Sequence, residues 1–266
     1  MTNVGALLPE VAHEWSTMLT VILQGSLVTG EEHPAVITFD MALYEKAVQL
    51  VDARDDLKRT VFPRLGELHT VMAALRALGT CIENSGIDDA WLEAGVYGSG
   101  TIRQILKCAH YKRTLCAHIH MYMALHELLL EKFFQEKPHL KAICSEPVNK
   151  LQEACSRSQA DKGTSQEDIN IANEQLIQIL TDESIIQQLK TWEGEKCCNA
   201  MFKSMMNYLH HVEIILFFIE SSRNSDLNLH LQAGEALNKL FFALDRIKYK
   251  RLWPWYIADM HELKRQ

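Results

Sequence analysis

The segment PAVITFD, Pro34–Asp40, decides the fold of the first third of the chain. It is a short apolar run that ends on an acid, which is typical of a buried β-strand. A helical pattern follows over residues 42–51, and a second short apolar segment, VFPRLGELH, occupies residues 61–69. Strand ends in α/β sheets expose polar side chains into a crevice, so Asp40 and His69 are candidate site residues.

Helical periodicity dominates almost everything else. Predicted helices cover residues 7–27, 68–81, 101–134, 169–192, 196–221, 227–249 and 254–264. Pro138 and Pro147 are expected to divide the chain after residue 134 into shorter pieces, because proline breaks a helix interior. The polar stretch 156–168 predicts a flexible loop. The sequence therefore predicts a mainly α protein with a small, incomplete parallel β element near the amino terminus and a large helical block.

Composition narrows the class of protein. The chain has 266 residues, 47% of them hydrophobic, and a net charge of −7, which gives no overall field that would attract nucleic acid. Its seven cysteines lack the spacing of a disulfide framework, and residues 1–14 do not resemble a signal peptide. The longest apolar runs are too short to span a bilayer. We expect a reduced, intracellular protein without a membrane partner.

Two interpretations stay open for each of the two candidate residues near the strands. Asp40 directly precedes a helix, so its carboxylate either binds a metal or caps that helix, and the capping preference of aspartate favours the cap. His69 lies at a strand-to-helix turn, where an imidazole can bind a phosphate or a metal. More often, however, a histidine at such a turn satisfies a backbone group, and the spacing favours that interpretation.

A group of histidines and cysteines in one predicted helix suggests zinc but lacks the spacing for it. Zinc ligands on a helix usually stand four residues apart on one face. His118 and His120 instead point about 200° apart on a helix with 3.6 residues per turn. No zinc is therefore expected, and a zinc-stabilised helical domain is the weakest of three hypotheses. The group comprises Cys108, His110, Cys116, His118, His120 and His126.

The carboxy-terminal run 241–260 combines an acid, a basic cluster and aromatic residues. Asp245 ends an apolar segment, and four basic residues follow within six positions: Arg246, Lys248, Lys250 and Arg251. Basic side chains neutralise phosphates and aromatic rings stack on bases, so this composition suits contact with nucleic acid. A helix with a solvated basic face before a tryptophan-anchored turn explains the composition equally well.

Several short motifs, in order along nearly the whole chain, resemble a large family of proteins. That family is repetitive in invertebrate and lower-vertebrate genomes and looks derived from transposable elements. The matching motifs are ITFDxxLYxKA at 37–47, RLGxLHxxM at 64–72, DLNLHL at 226–231, AxDxxxYxR at 243–251 and YIADM at 256–260.

The resemblance implies an RNase H-like core interrupted by a helical insertion, as in cut-and-paste (DDE-type) transposases. Such cores use three acids to hold two divalent metals, here Mg²⁺, that activate water and stabilise the leaving oxygen. By this mapping Asp40 and Asp245 are the second and third metal-binding acids, and His69 lies beside them. The first strand and its acid would precede Met1, so the chain looks like a fragment without its first catalytic strand.

The chain also departs from the family pattern after Asp245. The family usually has a histidine directly after this acid and an asparagine two residues later, where this chain has Arg246 and Lys248. We therefore expect a transposase-derived, nuclease-like domain that is inactive alone and binds DNA only weakly, through its basic cluster. The alternative is a non-catalytic helical module that binds proteins of unknown identity. The transposase lineage would place the protein in the nucleus.

Three segments follow from this mapping. Residues 1–100 form the amino-terminal α/β-like portion, and residues 101–222 form the helical insertion. Residues 223–266 form helices that pack back on the amino-terminal portion. Whether the chain is an enzyme is left open by the sequence.

Overall fold

The computed structural model describes residues 17–24, 35–58, 60–159 and 166–265. By its contacts the chain divides into two compact units. Unit 1 combines Met1–Ala117 with His211–Gln266, and unit 2 is His118–His210. No helix in the described part of the chain is both long enough and apolar enough to cross a membrane.

A pair of parallel strands lies in unit 1, as the sequence predicts. Strand β1 (Ala35–Phe39) pairs with β2 (Val61–Leu65), in register from Ala35 opposite Val61 to Phe39 opposite Leu65. Helices α2 (Met41–Asp52) and α3 (Asp55–Lys58) connect the strands. The buried ends of both strands face the core, which is how two five-residue strands persist in a helical protein.

The remaining elements of the described residues are helices, so the predicted fold class is confirmed: mainly α with a small parallel element. Unit 1 contains α1 (17–24), α4 (Glu67–Ile82), α5 (Ile87–Glu93), α6 (Ser99–Leu106), α12 (Leu227–Ala243) and α13 (Ile247–Arg265). Unit 2 contains α8 (Pro138–Gln159), α9 (Gln166–Leu180) and α10 (Glu183–Lys196). Helices α7 (Tyr111–Glu136) and α11 (Ala200–Arg223) each include a boundary between the units.

The core of unit 1 is built around Trp253. This side chain is completely buried, and its ring centroid lies 5.8 Å from that of Phe218 and 5.6 Å from that of Phe241. Its indole N–H donates to the carbonyl oxygen of Gly234 at 2.8 Å. A buried tryptophan satisfied in this way contributes large apolar area without leaving a polar atom unpaired.

The core of unit 2 is smaller and also aromatic. Phe133 and Trp192 are buried and meet edge to face, with ring centroids 5.5 Å apart. The ring centroid of Phe202 lies 5.8 Å from that of Trp192, and these rings also meet edge to face. The indole N–H of Trp192 donates to a carboxylate oxygen of Glu136 at 2.8 Å.

Three of the long helices predicted from the sequence are wrong, because each consists of two shorter helices in the structure. The prediction for 101–134 divides into α6 and α7, that for 169–192 into α9 and α10, and that for 227–249 into α12 and α13. Cys108 and Asp245 occupy two of these breaks with a φ of 48° each. Asp182 caps α10 at the third, accepting from the backbone N–H of Ser184 and Ile185.

The expected effects of proline and polar composition are also wrong in part. Pro147 lies inside α8, and Pro254 lies inside α13 rather than starting a final piece. Tertiary packing outweighs the missing hydrogen bond of Pro147, whose ring is buried. Within the predicted loop 156–168, residues 156–159 and 166–168 are helical, and the rest lies outside the described residues. The same is true of residues 7–16 and 25–27 of the first predicted helix.

Candidate functional site

Asp40 lies directly after β1 and caps α2. Its Oδ1 accepts a hydrogen bond from the backbone N–H of Leu43 at 2.9 Å, so the capping interpretation is confirmed. The cap satisfies one of the four N–H groups that a helix leaves unpaired at its start. Its second carboxylate oxygen has no part in this bond.

His69 lies in the first turn of α4, which begins directly after β2 and Gly66. The N–H of Gly66 donates to the carbonyl oxygen of Phe39 at 2.6 Å, so the two strand ends meet at one edge. A Cβ on Gly66 would come within 3.0 Å of that carbonyl oxygen. The side chain of His69 is exposed. Asp40 and the start of α4 therefore share the carboxyl edge of the small sheet.

Asp245 lies in the turn between α12 and α13, in the left-handed backbone region. Its side chain is 72% exposed and forms an ion pair with the ammonium of Lys250. Aspartate tolerates this backbone conformation better than most residues because its side chain hydrogen-bonds locally. The break in the helix thus has a local cause.

One electrostatic effect connects Asp40 with the start of α13. The pKa of Tyr249 is raised to about 12, mainly by burial and to a smaller extent by the negative charge of Asp40. Tyr249, in the first turn of α13, therefore lies within electrostatic range of Asp40. In the described residues no three histidine, cysteine or acidic side chains are arranged to hold a metal ion. A metal site at Asp40 and Asp245 stays a prediction.

Most of the predicted nucleic-acid cluster already contacts other parts of unit 1. The guanidinium of Arg246 donates to the carbonyl oxygen of Arg76 at 2.8 Å and to the hydroxyl of Thr80 at 2.7 Å. Arg251 forms an ion pair with Glu45, and Lys250 pairs with Asp245 as described above. Lys248 is exposed. The charge available to a phosphate backbone is smaller than the sequence suggests.

His118 is the member of the histidine group that is buried in unit 2. Its Nδ1 lies 3.0 Å from the hydroxyl of Tyr208, and its side chain is fully buried. Burial lowers the pKa of His118 to about 4, so the ring is neutral at physiological pH. Its role is a polar contact inside a helical core.

Sequence reasoning missed a chain of buried polar groups in unit 1. His230 lies between two hydroxyls, with Nε2 3.0 Å from the oxygen of Tyr256 and Nδ1 3.3 Å from that of Ser221. Ser221 donates its own proton to the carbonyl oxygen of Phe218 at 2.7 Å. Nδ1 must therefore carry the imidazole proton, and Tyr256 donates to Nε2. Burial, followed by the charge of Arg64, lowers the pKa of His230 and keeps this arrangement neutral.

This polar chain borders a cavity of about 190 Å³. Arg64 from the end of β2 lines it together with His230, Ser222 and Asp226. Arg64 also forms an ion pair with Glu67 in the first turn of α4. The motif around residue 230 was visible in the sequence as DLNLHL, but nothing in its spacing indicates partners on three other elements. The carboxylate of Asp226 caps α12 by accepting from the N–H of Leu229 at 3.0 Å.

Comparison with known proteins gives a family and no function. No curated protein and no solved structure matches the chain. A family model described as Domain of unknown function (DUF8702) matches residues 6–266. Because that match covers nearly the whole sequence, the chain belongs to the Domain of unknown function (DUF8702) family.

Proposed function

We propose that the chain is a nuclease-like domain of transposase origin whose metal-site acids now serve the fold rather than catalysis. The observation that carries this proposal is the engagement of both acids within the protein. Asp40 accepts a helix-capping hydrogen bond, and Asp245 pairs with Lys250. Mg²⁺ requires near-ideal octahedral oxygen coordination, which two acids with other partners supply poorly.

The position of these acids supports the lineage part of the proposal. Asp40 ends one of two parallel strands, and its charge acts on Tyr249 in the first turn of α13. In a two-metal nuclease the acids converge from a strand end and a later helix, with the metal ions roughly 4 Å apart. The motifs that resemble the transposase-derived family contain both residues. Asp40 and Asp245 are therefore the residues to test.

Two substitutions at Asp40 distinguish a helix-capping role of its carboxylate from a metal-binding role. Asparagine caps a helix nearly as well as aspartate but is a weaker Mg²⁺ ligand, whereas alanine does neither. We expect Asp40→Asn to leave stability unchanged and Asp40→Ala to cost about 1 kcal/mol. Thermal unfolding with and without Mg²⁺ or Mn²⁺ measures both effects.

The matching activity assay is cleavage of plasmid DNA by the full chain with Mg²⁺ or Mn²⁺. We expect no cleavage above that of the Asp40→Asn variant. Metal-dependent cleavage that disappears in both Asp40→Asn and Asp245→Asn would overturn the loss of catalysis while retaining the lineage. Stabilisation by metal in the parent, lost in Asp40→Asn, would show that the site still binds metal.

DNA binding by the basic cluster is the second part of the proposal, and we expect it to be weak. Only Lys248 among the four basic residues lacks a described intramolecular partner. Each phosphate that is neutralised changes the logarithm of affinity by about 0.9 per logarithm of salt concentration. Replacing Lys248, Lys250 and Arg251 with alanine should flatten that slope. A triple substitution on unit 2 at Lys132, Lys150 and Lys190 serves as the charge-matched control.

A helical protein-interaction module is the second candidate function, and a surface feature of unit 2 favours it. Ile177 and Leu180 are 50% and 65% exposed on α9, and residues three apart share one helix face. Exposed apolar pairs of this kind suit a partner helix. A photoreactive residue at position 180 should then crosslink to a protein, and Ile177→Gln should reduce the yield. Crosslinking that is unaffected by Ile177→Gln would reject this surface.

A further inference from the structure

The outward side of α13 carries an exposed tryptophan. Trp255 is 69% exposed, although tryptophan side chains are highly buried on average. The other tyrosine and tryptophan side chains of this helix are less accessible: Trp253 and Tyr256 are buried in the core of unit 1, and Tyr249 is half-buried. The sequence suggests stacking on bases for the run 241–260 as a whole. Of the four such rings in α13, only that of Trp255 is exposed.

Two members of the basic cluster share the helix face of Trp255. Lys248 and Arg251 precede it by seven and four residues, and residues at these spacings lie on one side of an α-helix. Both of these basic side chains are exposed. Lys250, five residues before Trp255, points about 140° away from it. We call Lys248, Arg251 and Trp255 the α13 face.

The basic cluster keeps positive charge after its ion pairs within the described residues are counted. Asp245 and Glu45 each pair with one of its four members. Lys248 has no acidic partner in the described part of the chain, and the hydrogen bonds of Arg246 go to two uncharged oxygens. Arg251 also keeps donors for a phosphate, because a guanidinium has five N–H groups and Glu45 accepts from one of them.

We propose that the α13 face binds single-stranded DNA, a step that rests on the weak DNA binding proposed above for the basic cluster and adds a base contact to it. One unpaired base would stack on the indole of Trp255, and Lys248 and Arg251 would contact phosphates of neighbouring nucleotides. The helix rises about 10 Å from Lys248 to Trp255. This length corresponds to about three nucleotides of a stacked strand, at about 3.4 Å each.

Stacking on Trp255 distinguishes a single strand from a duplex. Each base inside a duplex is covered on both sides by its neighbours, whereas an unpaired base offers its ring face to an aromatic side chain. Basic side chains alone contact both forms, because both carry phosphates. The net charge of the chain, −7, also opposes binding that uses charge alone. The preference for a single strand therefore comes from the indole.

The neighbours of Trp255 favour a polyanion over a partner protein. A tryptophan at the centre of a protein interface is surrounded by side chains that exclude water, and lysine is depleted there. The exposed residues three, four and seven positions from Trp255 are instead Ala258, Arg251, Lys248 and Glu262. Because the acid of this set lies in the carboxy-terminal half of α13, the strand would lie along the amino-terminal half, where both basic residues are.

The test is fluorescence anisotropy at low salt, with the full chain added to a labelled single strand of about 15 nucleotides or to its duplex. We expect the single strand to bind about tenfold more tightly than the duplex and to quench the tryptophan emission of the parent. Trp255→Ala should weaken single-strand binding by about tenfold, the effect of one lost stacked base, without changing the salt slope. Trp255→Phe keeps a ring for stacking, so it should retain most of the affinity and lose the quenching.

Matched variants separate stacking from charge. Phe217→Ala removes an exposed ring on α11 and should leave binding unchanged. Replacing Lys248 and Arg251 with alanine should flatten the salt slope by about 0.7 for each phosphate contact that is lost on a single strand. If this double variant flattens the slope while Trp255→Ala changes nothing, DNA binding by the basic cluster holds and the stacking role is overturned. Equal affinity of the parent for single strand and duplex also overturns it. If the parent binds neither, the DNA-binding part of the proposed function fails with it.

Discussion

Units 1 and 2 each bury a tryptophan, and they satisfy its indole N–H in different ways. Trp253 in unit 1 donates to the backbone carbonyl of Gly234, a neutral acceptor inside the core. Trp192 in unit 2 donates to the carboxylate of Glu136, which also accepts from Lys196 at 2.8 Å. In unit 1 the acceptor for the buried indole N–H is a backbone carbonyl, and in unit 2 it is a charged side chain. The two units should therefore differ in their response to backbone crowding and to pH.

Alanine substitutions at two helical glycines should give the largest difference between the units. A Cβ on Gly79 in α4 would lie 2.0 Å from the carbonyl oxygen of Leu106, whereas one on Gly194 in α10 meets nothing within 4 Å. We expect Gly79→Ala to destabilise by about 3 kcal/mol or more, since backbone must move. Gly194→Ala should stabilise by about 0.5–1 kcal/mol through helix propensity. Urea unfolding measures both, and equal effects would refute the contrast in backbone packing.

Acid should destabilise the chain through the buried histidine of unit 2. Burial lowers the pKa of His118 to about 4, below the value of about 6.5 in an unfolded chain. The folded state therefore binds fewer protons between these values, and stability is lost as pH falls through that window. The loss approaches about 3 kcal/mol at the lower end. Unfolding of His118→Gln at several pH values should show a reduced slope, and His120→Gln, an exposed neighbour, should keep the parent slope.

Protonation of His230 in unit 1 should also lower stability in acid, although the surroundings of His230 differ from those of His118. Burial and the charge of Arg64 lower its pKa, so its protonation also opposes folding in acid. Its two ring nitrogens face the hydroxyls of Tyr256 and Ser221. Removing one hydroxyl by Tyr256→Phe should cost about 1–2 kcal/mol, because Nε2 of the imidazole loses its donor in a buried site.

The hydrogen bonds of Trp192 and Trp253 predict that the stability cost of replacing each tryptophan depends differently on pH. Hydrogen bonds from Lys196 and then from Trp192 lower the pKa of Glu136 to about 2. Its ionised form therefore contributes stability above about pH 4.5, and that contribution is lost as pH falls toward 2. Trp192→Phe should destabilise less in acid than at neutral pH. Trp253→Phe should cost about 1–2 kcal/mol at both, since its acceptor does not titrate. A pH-independent effect of Trp192→Phe would contradict this account.

The β element was predictable because its signals are local. An apolar strand, an aspartate at its end and a helix in the next position specify β1, the cap at Asp40 and α2 within 18 residues. The breaks between helices were not predictable in the same way. Cys108 and Asp245 have a positive φ without a glycine or proline beside them, and tertiary packing retains Pro147 and Pro254 within helices.

The candidate sites show the same limit. The sequence puts four basic residues together at the start of α13, but it does not reveal their partners. Glu45 pairs with Arg251 from a helix more than two hundred residues earlier. A cavity of about 200 Å³ that is lined by Asp52 of α2 and Asp259 of α13 depends on the same long-range packing, so neither acid carried a signal in the sequence. Contacts of this range are set by topology rather than by any local pattern.

The smallest predicted effect concerns Asp259 and has the opposite sign to that of His118. Its folded pKa of about 6 lies above the ordinary value of 3.8, so the folded state binds more protons between these values. Stability due to this group is present at low pH and lost as pH rises through that window. Asp259→Asn should therefore stabilise unit 1 by about 1 kcal/mol at neutral pH, a figure reduced for the partial exposure of the carboxylate. No gain is expected near pH 4, where the parent carboxyl is mostly protonated. Unfolding curves at the two pH values measure this, with Asp89→Asn, at an exposed acid on α5, as the control. A gain of the same size at both pH values would contradict the assignment of the effect to the buried charge.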